Sequence, residues 1–355
     1  MEFLRIILFP FAIAYGIAVR IRNWFFDSGI FKEKEFPIPI IGVGNLSVGG
    51  TGKTPFVEYL VNMLSDNYRV AILSRGYGRS TSGFRLADQF SDHEDVGDEP
   101  MQYSRKFGNR IIVAVDANRR NGIRYLMANY KHLDVILLDD SFQHRYVKPG
   151  INILLTDYHN LYMEDYLLPS GRLRDCVSSA KRADIIVVTK TYKVLSAITR
   201  RRVDAILKPK EHQIIYYSFL KYGDLVPLPG ANIELPKKNT NTILMFCGIA
   251  NPEPLKDYLR DQCSELISFE FPDHHIYKKK DLQKIRKKFE ELFTRSKIIL
   301  TTEKDVMRLI KSPYLSELKN LPVFYIPIEV KLHGTDEPEF EQQIIEYVEK
   351  NRRNG

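Results

Sequence analysis

Between residues 39 and 219 the chain alternates short, nearly continuous apolar runs with longer amphipathic stretches. The runs predict strands over 39–44, 69–74, 111–115, 135–138, 151–155, 185–189 and 214–219. Helical spacing appears between several of them, at 54–65, 118–131 and 195–206. Strands that are apolar on both sides and joined by helical crossovers predict a parallel sheet covered on both faces. The texture breaks over 221–238, where Pro227, Pro229, Gly230 and Pro236 interrupt it. A second series follows, with strands expected at 242–247, 266–271, 297–301 and 323–328 and helices at 252–262, 280–295 and 338–349. Pro338 suits the first position of its helix, where no N–H is needed. The pattern predicts a larger α/β domain over 31–215 and a smaller one over 216–355, with the boundary between 210 and 240.

The first thirty residues are different. Positions 6–19 carry no charge, Arg5 precedes them, and Arg20 and Arg22 follow. The run is shorter than the roughly 20 residues a spanning helix needs, and Pro10 and Gly16 interrupt it. No small-x-small cleavage site follows; the chain continues into Trp24, Phe25 and Phe26. Aromatics beside arginines suit the headgroup zone of a bilayer. Segment 1–30 is therefore expected to form a monotopic helix in a membrane surface, the alternative being a helix packed on the main domain.

Composition narrows the partners. The chain has 355 residues, is 44% hydrophobic and 27% charged, and carries a formal charge of +8. A basic balance suits a nucleotide, a nucleic acid or an anionic membrane face. No basic region is interleaved with stacking aromatics, so nucleic acid is not an expected partner. Cys176, Cys247 and Cys263 are scattered and odd in number, which argues against a zinc site or a disulfide scaffold.

The sharpest chemical signal is Asn45-Leu46-Ser47-Val48-Gly49-Gly50-Thr51-Gly52-Lys53-Thr54, between a predicted strand and a predicted helix. That is the context of a phosphate-binding P-loop, with Ser47 at the position of its usual first glycine. Gly49, Gly50, Thr51 and Gly52 would turn backbone N–H groups around phosphate oxygens at the positive end of the helix. Lys53 would reach the β- and γ-phosphates of ATP, and the Thr54 hydroxyl would meet Mg²⁺. The apolar run at 135–138 ends in Asp139 and Asp140, the carboxylates expected to hold the metal or its water. Alternation along a strand points these two carboxylates in different directions. Thr189-Lys190-Thr191 is followed by Tyr192, so the carboxylate that reads guanine in GTP-binding proteins is missing. Val48 stands where dimer-activated ATPases carry a lysine. Both absences favour a kinase or a monomeric ATPase.

A kinase must also hold and activate a hydroxyl. Val96-Gly97-Asp98-Glu99-Pro100 offers acids at a helix start, which serve equally as first-turn residues or as a base. Pro272-Asp273-His274-His275 offers a proton relay, a metal site or a capped helix entry. Arg75-Gly76-Tyr77-Gly78-Arg79 suits a phosphosugar or is a solvated basic loop. Gln143, His144 and Arg145 follow the carboxylate strand and so lie close to the γ-phosphate. The helix expected at 280–295 is basic around an apolar stripe that reads as ordinary core.

Taken together, the P-loop segment 42–55, the Ser74-Arg75-Gly76-Tyr77-Gly78-Arg79 loop, Val96-Gly97-Asp98-Glu99-Pro100, Asp139-Asp140-Ser141-Phe142-Gln143-His144, Phe271-Pro272-Asp273-His274-His275 and Thr301-Thr302-Glu303-Lys304-Asp305 resemble the tetraacyldisaccharide 4′-kinase family. The resemblance implies transfer of the γ-phosphate of ATP to the 4′-hydroxyl of a tetraacylated glucosamine disaccharide 1-phosphate, at the cytoplasmic face of the inner membrane. It implies Asp98 as catalytic base with His274 as its partner, brought together by closure of two α/β lobes that a two-stranded connection joins. Lys53 and Thr54 match the nucleotide and Mg²⁺ contacts, and Asp139 and Asp140 the acidic end of the metal strand. Arg75, Arg79, Gln143 and His144 are the expected acceptor-side contacts. The glycolipid and the membrane surface are the expected partners of a monomeric chain. Ser141 stands where the family usually has glycine, and Arg172 stands where proline is common in the acceptor-side loop. The competing expectation is a membrane-associated nucleotide switch or ATPase that phosphorylates no lipid.

Overall fold

The computed structural model describes residues 2–88, 90–229, 240–273, 275–294, 296–310 and 312–352. Gly230, Pro236, His274 and Arg295, which entered the sequence reading, lie outside them. The chain divides into two units, Met1–Leu220 with Val330–Gly355, and Lys221–Glu329.

The first unit is built on β1 (Ile40–Asn45), β2 (Val70–Ser74), β3 (Arg85–Ala87), β4 (Ile112–Val115), β5 (Val135–Asp139), β6 (Ile151–Asp157), β7 (Ile185–Thr189) and β8 (Ile214–Tyr222). Its helices are α1 (Glu2–Asp27), α2 (Lys53–Leu64), α3 (His93–Val96), α4 (Asp98–Phe107), α5 (Arg119–Asn129) and α6 (Ala197–Leu207). The second unit carries β9 (Val226–Pro227), β10 (Thr240–Cys247), β11 (Cys263–Glu270), β12 (Lys297–Thr302) and β13 (Val323–Ile326), with α7 (Glu253–Arg260), α8 (Lys279–Glu290) and α9 (Glu303–Leu309). Strand β14 (Ile328–Leu332) and helix α10 (Asp336–Asn351) close the chain.

The larger sheet runs β14-β8-β7-β6-β1-β5-β2-β4-β3. Its β8-to-β4 stretch pairs in parallel, and the short edge strand β3 runs antiparallel to β4. Alternation along each strand sorts the core. Ile41, Val43, Val135 and Leu137 pack with Phe56 and Leu60 of α2 on one face. Ile40, Ile136 and Leu138 pack with Ile123 and Leu126 of α5 on the other. The predicted doubly covered α/β sheet is therefore present. The smaller sheet, β11-β10-β12-β13-β9, is parallel apart from β9.

The expected domain limits need two corrections. The run at 323–328 is not one strand: Pro327 has no N–H to donate, and the chain leaves β13 there and starts β14 in the other sheet. The last helix, expected in the smaller domain, belongs to the first unit. Phe340, Ile344 and Val348 lie four residues apart on one face of α10 and are fully buried against the α2 side of the large sheet. The Phe340 ring meets Phe56 at 5.7 Å and Tyr216 at 5.3 Å, both edge-on. Pro338 falls at the third helical position rather than the first, still within the turn whose N–H groups have no intrahelical acceptor.

Helix α1 runs unbroken through Pro10 and Gly16, contrary to the expected interruption. Gly16 is a contact point: a Cβ there would stand 2.8 Å from Leu167 Cδ1. The inner side of α1 buries Ala12, Asn23 and Phe26, with Asn23 donating to Asp175 Oδ1 at 2.8 Å and Tyr15 Oη to the Arg174 carbonyl at 2.8 Å. Its other side exposes Phe9, Phe11, Ile13, Ile17, Ile21 and Trp24. The segment is thus both packed on the first unit and apolar outward. Among the described residues no helix is long and apolar enough to cross a membrane.

Truncating Phe340 to alanine should cost about 3–5 kcal/mol, the usual price of an emptied aromatic core site. Urea unfolding of the full chain checks this; a midpoint equal to the parent's would show that α10 does not complete this core.

Candidate active site

Strand β1 ends at Asn45 and α2 begins at Lys53, so the loop between them lies at the carboxyl edge of the sheet, beside the end of β5. Gly52 sits at φ +86° directly before α2, a left-handed turn that a side chain disfavours, and it hands the chain into the helix. The loop is held from outside through its carbonyl oxygens. Lys190 Nζ donates to Gly50 O, Thr189 Oγ1 donates to Thr51 O at 2.8 Å, and Gln143 Nε2 donates to Asn45 O at 2.7 Å. The 168–174 loop adds backbone bonds, Val48 N to Arg172 O and Arg174 N to Leu46 O, both 2.7 Å. Inside the loop Asn45 Nδ2 donates to Thr51 Oγ1 at 2.7 Å. A loop whose carbonyls face outward is left with N–H groups for an anion.

The two aspartates at the end of β5 have separate fates. Asp140 takes a left-handed φ of 47°, which short polar residues tolerate, and its carboxylate is forked by Arg174 at 2.8 and 2.9 Å. Lys53 Nζ stands 3.7 Å from the same carboxylate. Although burial works against the charge, Arg174 and Lys53 hold Asp140 well below the usual carboxylate range. Asp139 is buried, and burial, with Glu99 and Asp140 nearby, pushes its pKa up to about 7 despite Lys53 and Arg119. Its carbonyl oxygen accepts from Arg119 at 2.6 Å, and Ser74 Oγ lies 3.4 Å from its carboxylate. Arg119 is fully buried at the start of α5, and desolvation pulls it down to about 10.

Asp98 opens α4 with Glu99 beside it. Gly97, at φ +95°, lets the α4 entry meet the loop after β2: a Cβ there would lie 2.8 Å from Tyr77 O. The Arg75–Arg79 segment and the acids are therefore neighbours. Arg75 is exposed, and its charge, with that of Arg119, acts on His144. His144 Nε2 stands 3.1 Å from the Ala117 carbonyl, so it carries the proton, and the buried Nδ1 is left as an acceptor with no donor among the described residues. Burial first, and then Arg119, lowers its pKa and keeps the ring neutral. Arg79 spends one terminal nitrogen on Gly83 O at 2.8 Å; the other is buried and unpaired among the described residues. Gln143 spends its side-chain N–H on the Asn45 carbonyl, and Arg22 of α1 donates to its backbone carbonyl at 2.7 Å. It acts as a brace of the loop in this structure.

In the second unit, Asp305 accepts from Gly248 N at 3.1 Å and from Tyr277 Oη at 3.0 Å. His275 stacks on Phe271 and bonds Asp281 at the entry to α8, so for this histidine the helix-entry reading holds. Asp273 pairs with Lys304 at 3.1 Å. His274 lies outside the described residues. The structure also assigns work to residues that sequence reasoning left without a role: Arg174, Lys190, Arg119 and Asn45. Asn45 had a signal, its place at the strand end that opens the loop.

Fold and loop together define a P-loop nucleoside-triphosphate-binding protein, and the acids gathered beside the loop suit phosphoryl transfer. A family model described as Tetraacyldisaccharide-1-P 4′-kinase matches residues 4–349. The tetraacyldisaccharide 4′-kinase of Parabacteroides distasonis is 44% identical over 98% of this chain and 96% of its own length. That of Flavobacterium psychrophilum is 44% identical over the whole of both chains. A crystal structure of LpxK from Aquifex aeolicus in complex with ATP is similar with a TM-score of 0.72 and 28% identity, covering 97% of this chain and 99% of that one. The chain belongs to the tetraacyldisaccharide 4′-kinase family.

The raised Asp139 pKa gives stability a sign. Its unfolded pKa lies near 3.8 and its folded pKa near 7, so the folded state holds the extra proton and stability from this group falls as pH rises between them. Asp139→Asn should therefore be more stable than the parent at pH 7.5, by about 1–3 kcal/mol, and by less at pH 5. Urea unfolding at both pH values checks it; a difference that does not grow with pH would contradict the buried-carboxylate assignment.

Proposed function

We propose that the chain transfers the γ-phosphate of ATP to the 4′-hydroxyl of tetraacyldisaccharide 1-phosphate. The observation that carries this is the outward-tied phosphate loop beside Asp139, with the Asp98–Glu99 helix start next to it, in a chain of this family. The loop N–H groups and Lys53 hold the β- and γ-phosphates. Asp140 and Asn45 keep the Lys53 ammonium in place. The Thr54 hydroxyl and Asp139 fit Mg²⁺: a dication would stabilise the Asp139 carboxylate that burial, with Glu99 and Asp140 nearby, disfavours, and such sites need only one or two protein groups besides phosphate and water. When bound, Mg²⁺ offsets charge on the transferring phosphoryl group. Asp140 is already met by Arg174 and Lys53, protein cations of its own.

Asp98 accepts the proton of the 4′-hydroxyl, and His274 acts as its partner. The free acceptor at His144 Nδ1, the spare Arg79 nitrogen and exposed Arg75 suit hydroxyl and phosphate groups of a phosphorylated sugar. The exposed apolar stripe of α1 lies in the cytoplasmic surface of the inner membrane, where the acyl chains of the acceptor reside.

Label from γ-labelled ATP should pass to purified disaccharide 1-phosphate in detergent with Mg²⁺ and not with EDTA. Nucleotide hydrolysis without labelled lipid, in folded protein, would leave the switch or ATPase reading instead. Asp98→Ala should keep ATP binding and lose about 10²–10⁴-fold in rate; a variant retaining most of the rate would remove Asp98 from the mechanism. The pair Ile13→Glu with Ile17→Glu leaves the inner side of α1 intact and should abolish co-flotation with anionic phospholipid vesicles. Flotation equal to the parent's would place the membrane contact elsewhere.

A further inference from the structure

One buried hydroxyl of the first unit is left over by the fold. Tyr103 of α4 is fully buried, yet its Oη has no hydrogen-bond partner among the described residues. Its ring belongs to the core on the α2 side of the large sheet. A phenylalanine would fill that core equally well, and an unpaired hydroxyl away from water costs free energy.

The surroundings of this hydroxyl are the groups expected to meet the metal. Tyr103 follows Glu99 by four residues, one turn into α4. Gln102 Nε2 and Lys106 Nζ of the same helix each reach the Glu58 carboxylate of α2 at 2.7 Å. Glu58 lies one turn beyond Thr54 on α2. The two helices are thereby tied side by side. Burial, with Asp139, Glu58 and Glu99 near, raises the Tyr103 pKa well above the ordinary tyrosine value, and the Thr54 hydroxyl also bears on it.

We propose that Tyr103 is a positioning residue for Mg²⁺: its Oη accepts a hydrogen bond from the Thr54 hydroxyl and so leaves the Thr54 oxygen turned to the dication. The proposal rests on reading Thr54 and Asp139 as the Mg²⁺ groups. A hydroxyl that meets a metal through its oxygen must send its proton to an acceptor, and that acceptor fixes its orientation. Glu58 is committed to Gln102 and Lys106, whereas Tyr103 Oη has no other donor among the described residues. The O–H of Tyr103 itself turns toward the acids, of which Asp139 acts on it most strongly. The unpaired hydroxyl is a bond reserved for the loaded site.

Calorimetric titration of the full chain with ADP, over a series of Mg²⁺ concentrations and in EDTA, tests this. Tyr103→Phe should raise the Mg²⁺ concentration needed for half of the gain in ADP affinity about tenfold, the scale of losing a group that orients a metal ligand, and leave ADP affinity in EDTA within about twofold of the parent. Its urea midpoint without ligand should equal or exceed the parent's, because a buried unpaired hydroxyl is gone. In a Thr54→Val background the same change should add nothing to the loss, since the two hydroxyls act as one unit. An unchanged Mg²⁺ midpoint, an equal loss in EDTA, a lower urea midpoint or an additive loss on Thr54→Val would each overturn the role of Tyr103. A parent whose ADP affinity ignores Mg²⁺, or a Thr54→Val variant that responds to Mg²⁺ as the parent does, would instead overturn the metal assignment beneath it.

Discussion

The first unit depends on how the peptide carbonyls between β1 and α2 are satisfied. A loop that gathers N–H groups around an anion must turn its carbonyl oxygens away, and each needs a donor once water is excluded. Those donors come from distant parts of the chain: Gln143 after β5, Arg174 after β6, Thr189 and Lys190 at the end of β7. The parallel sheet brings all of these to one edge. Its order, with β1 between β5 and β6, is what lets these donors reach the loop from both sides.

That arrangement separates two consecutive carboxylates by environment. Asp140 is met by guanidinium and ammonium groups and stays charged; Asp139 sits in desolvated surroundings near Glu99 and Asp140 and holds its proton to higher pH. The 168–174 loop joins this electrostatic centre to α1. It bonds the phosphate loop on one side, through Arg172 and Arg174, and α1 on the other, where Ser170 Oγ donates to the Arg5 carbonyl and the Arg174 carbonyl accepts from Tyr15. A helix with an apolar outer face is thereby held a few hydrogen bonds from the phosphate site.

Much of the fold was legible because its signals are local. Buried parallel strands read as apolar runs, and the phosphate loop is set by glycines within a few residues of each other. Edge strands β3 and β9, of three and two residues, carry too little pattern to be seen. The place of α10 is hidden for another reason: its periodicity shows one buried face but not which core receives it, and Phe340 finds Phe56 far back in the chain. Within the site, sequence could nominate Lys53, Asp139 and Asp98 from motif position. It could not reveal Arg174 or Lys190, whose partners lie 129 and 140 positions away. For Gln143, expected on the acceptor side, a side-chain N–H goes to the Asn45 carbonyl, and nothing in its neighbours' identities foretells that bond.

The return of the chain to the first unit has a consequence for synthesis. Residues 221–329 form a contiguous unit, whereas the large sheet receives β14 and α10 only after that unit has been made. Until those residues leave the ribosome, Phe56, Tyr59 and Leu60 of α2 lack the helix that covers them. The N-terminal half therefore waits, with an open apolar groove, for the C-terminal residues to seal it, and a nascent chain stalled short of Phe340 is exposed to aggregation in a way that the finished protein is not.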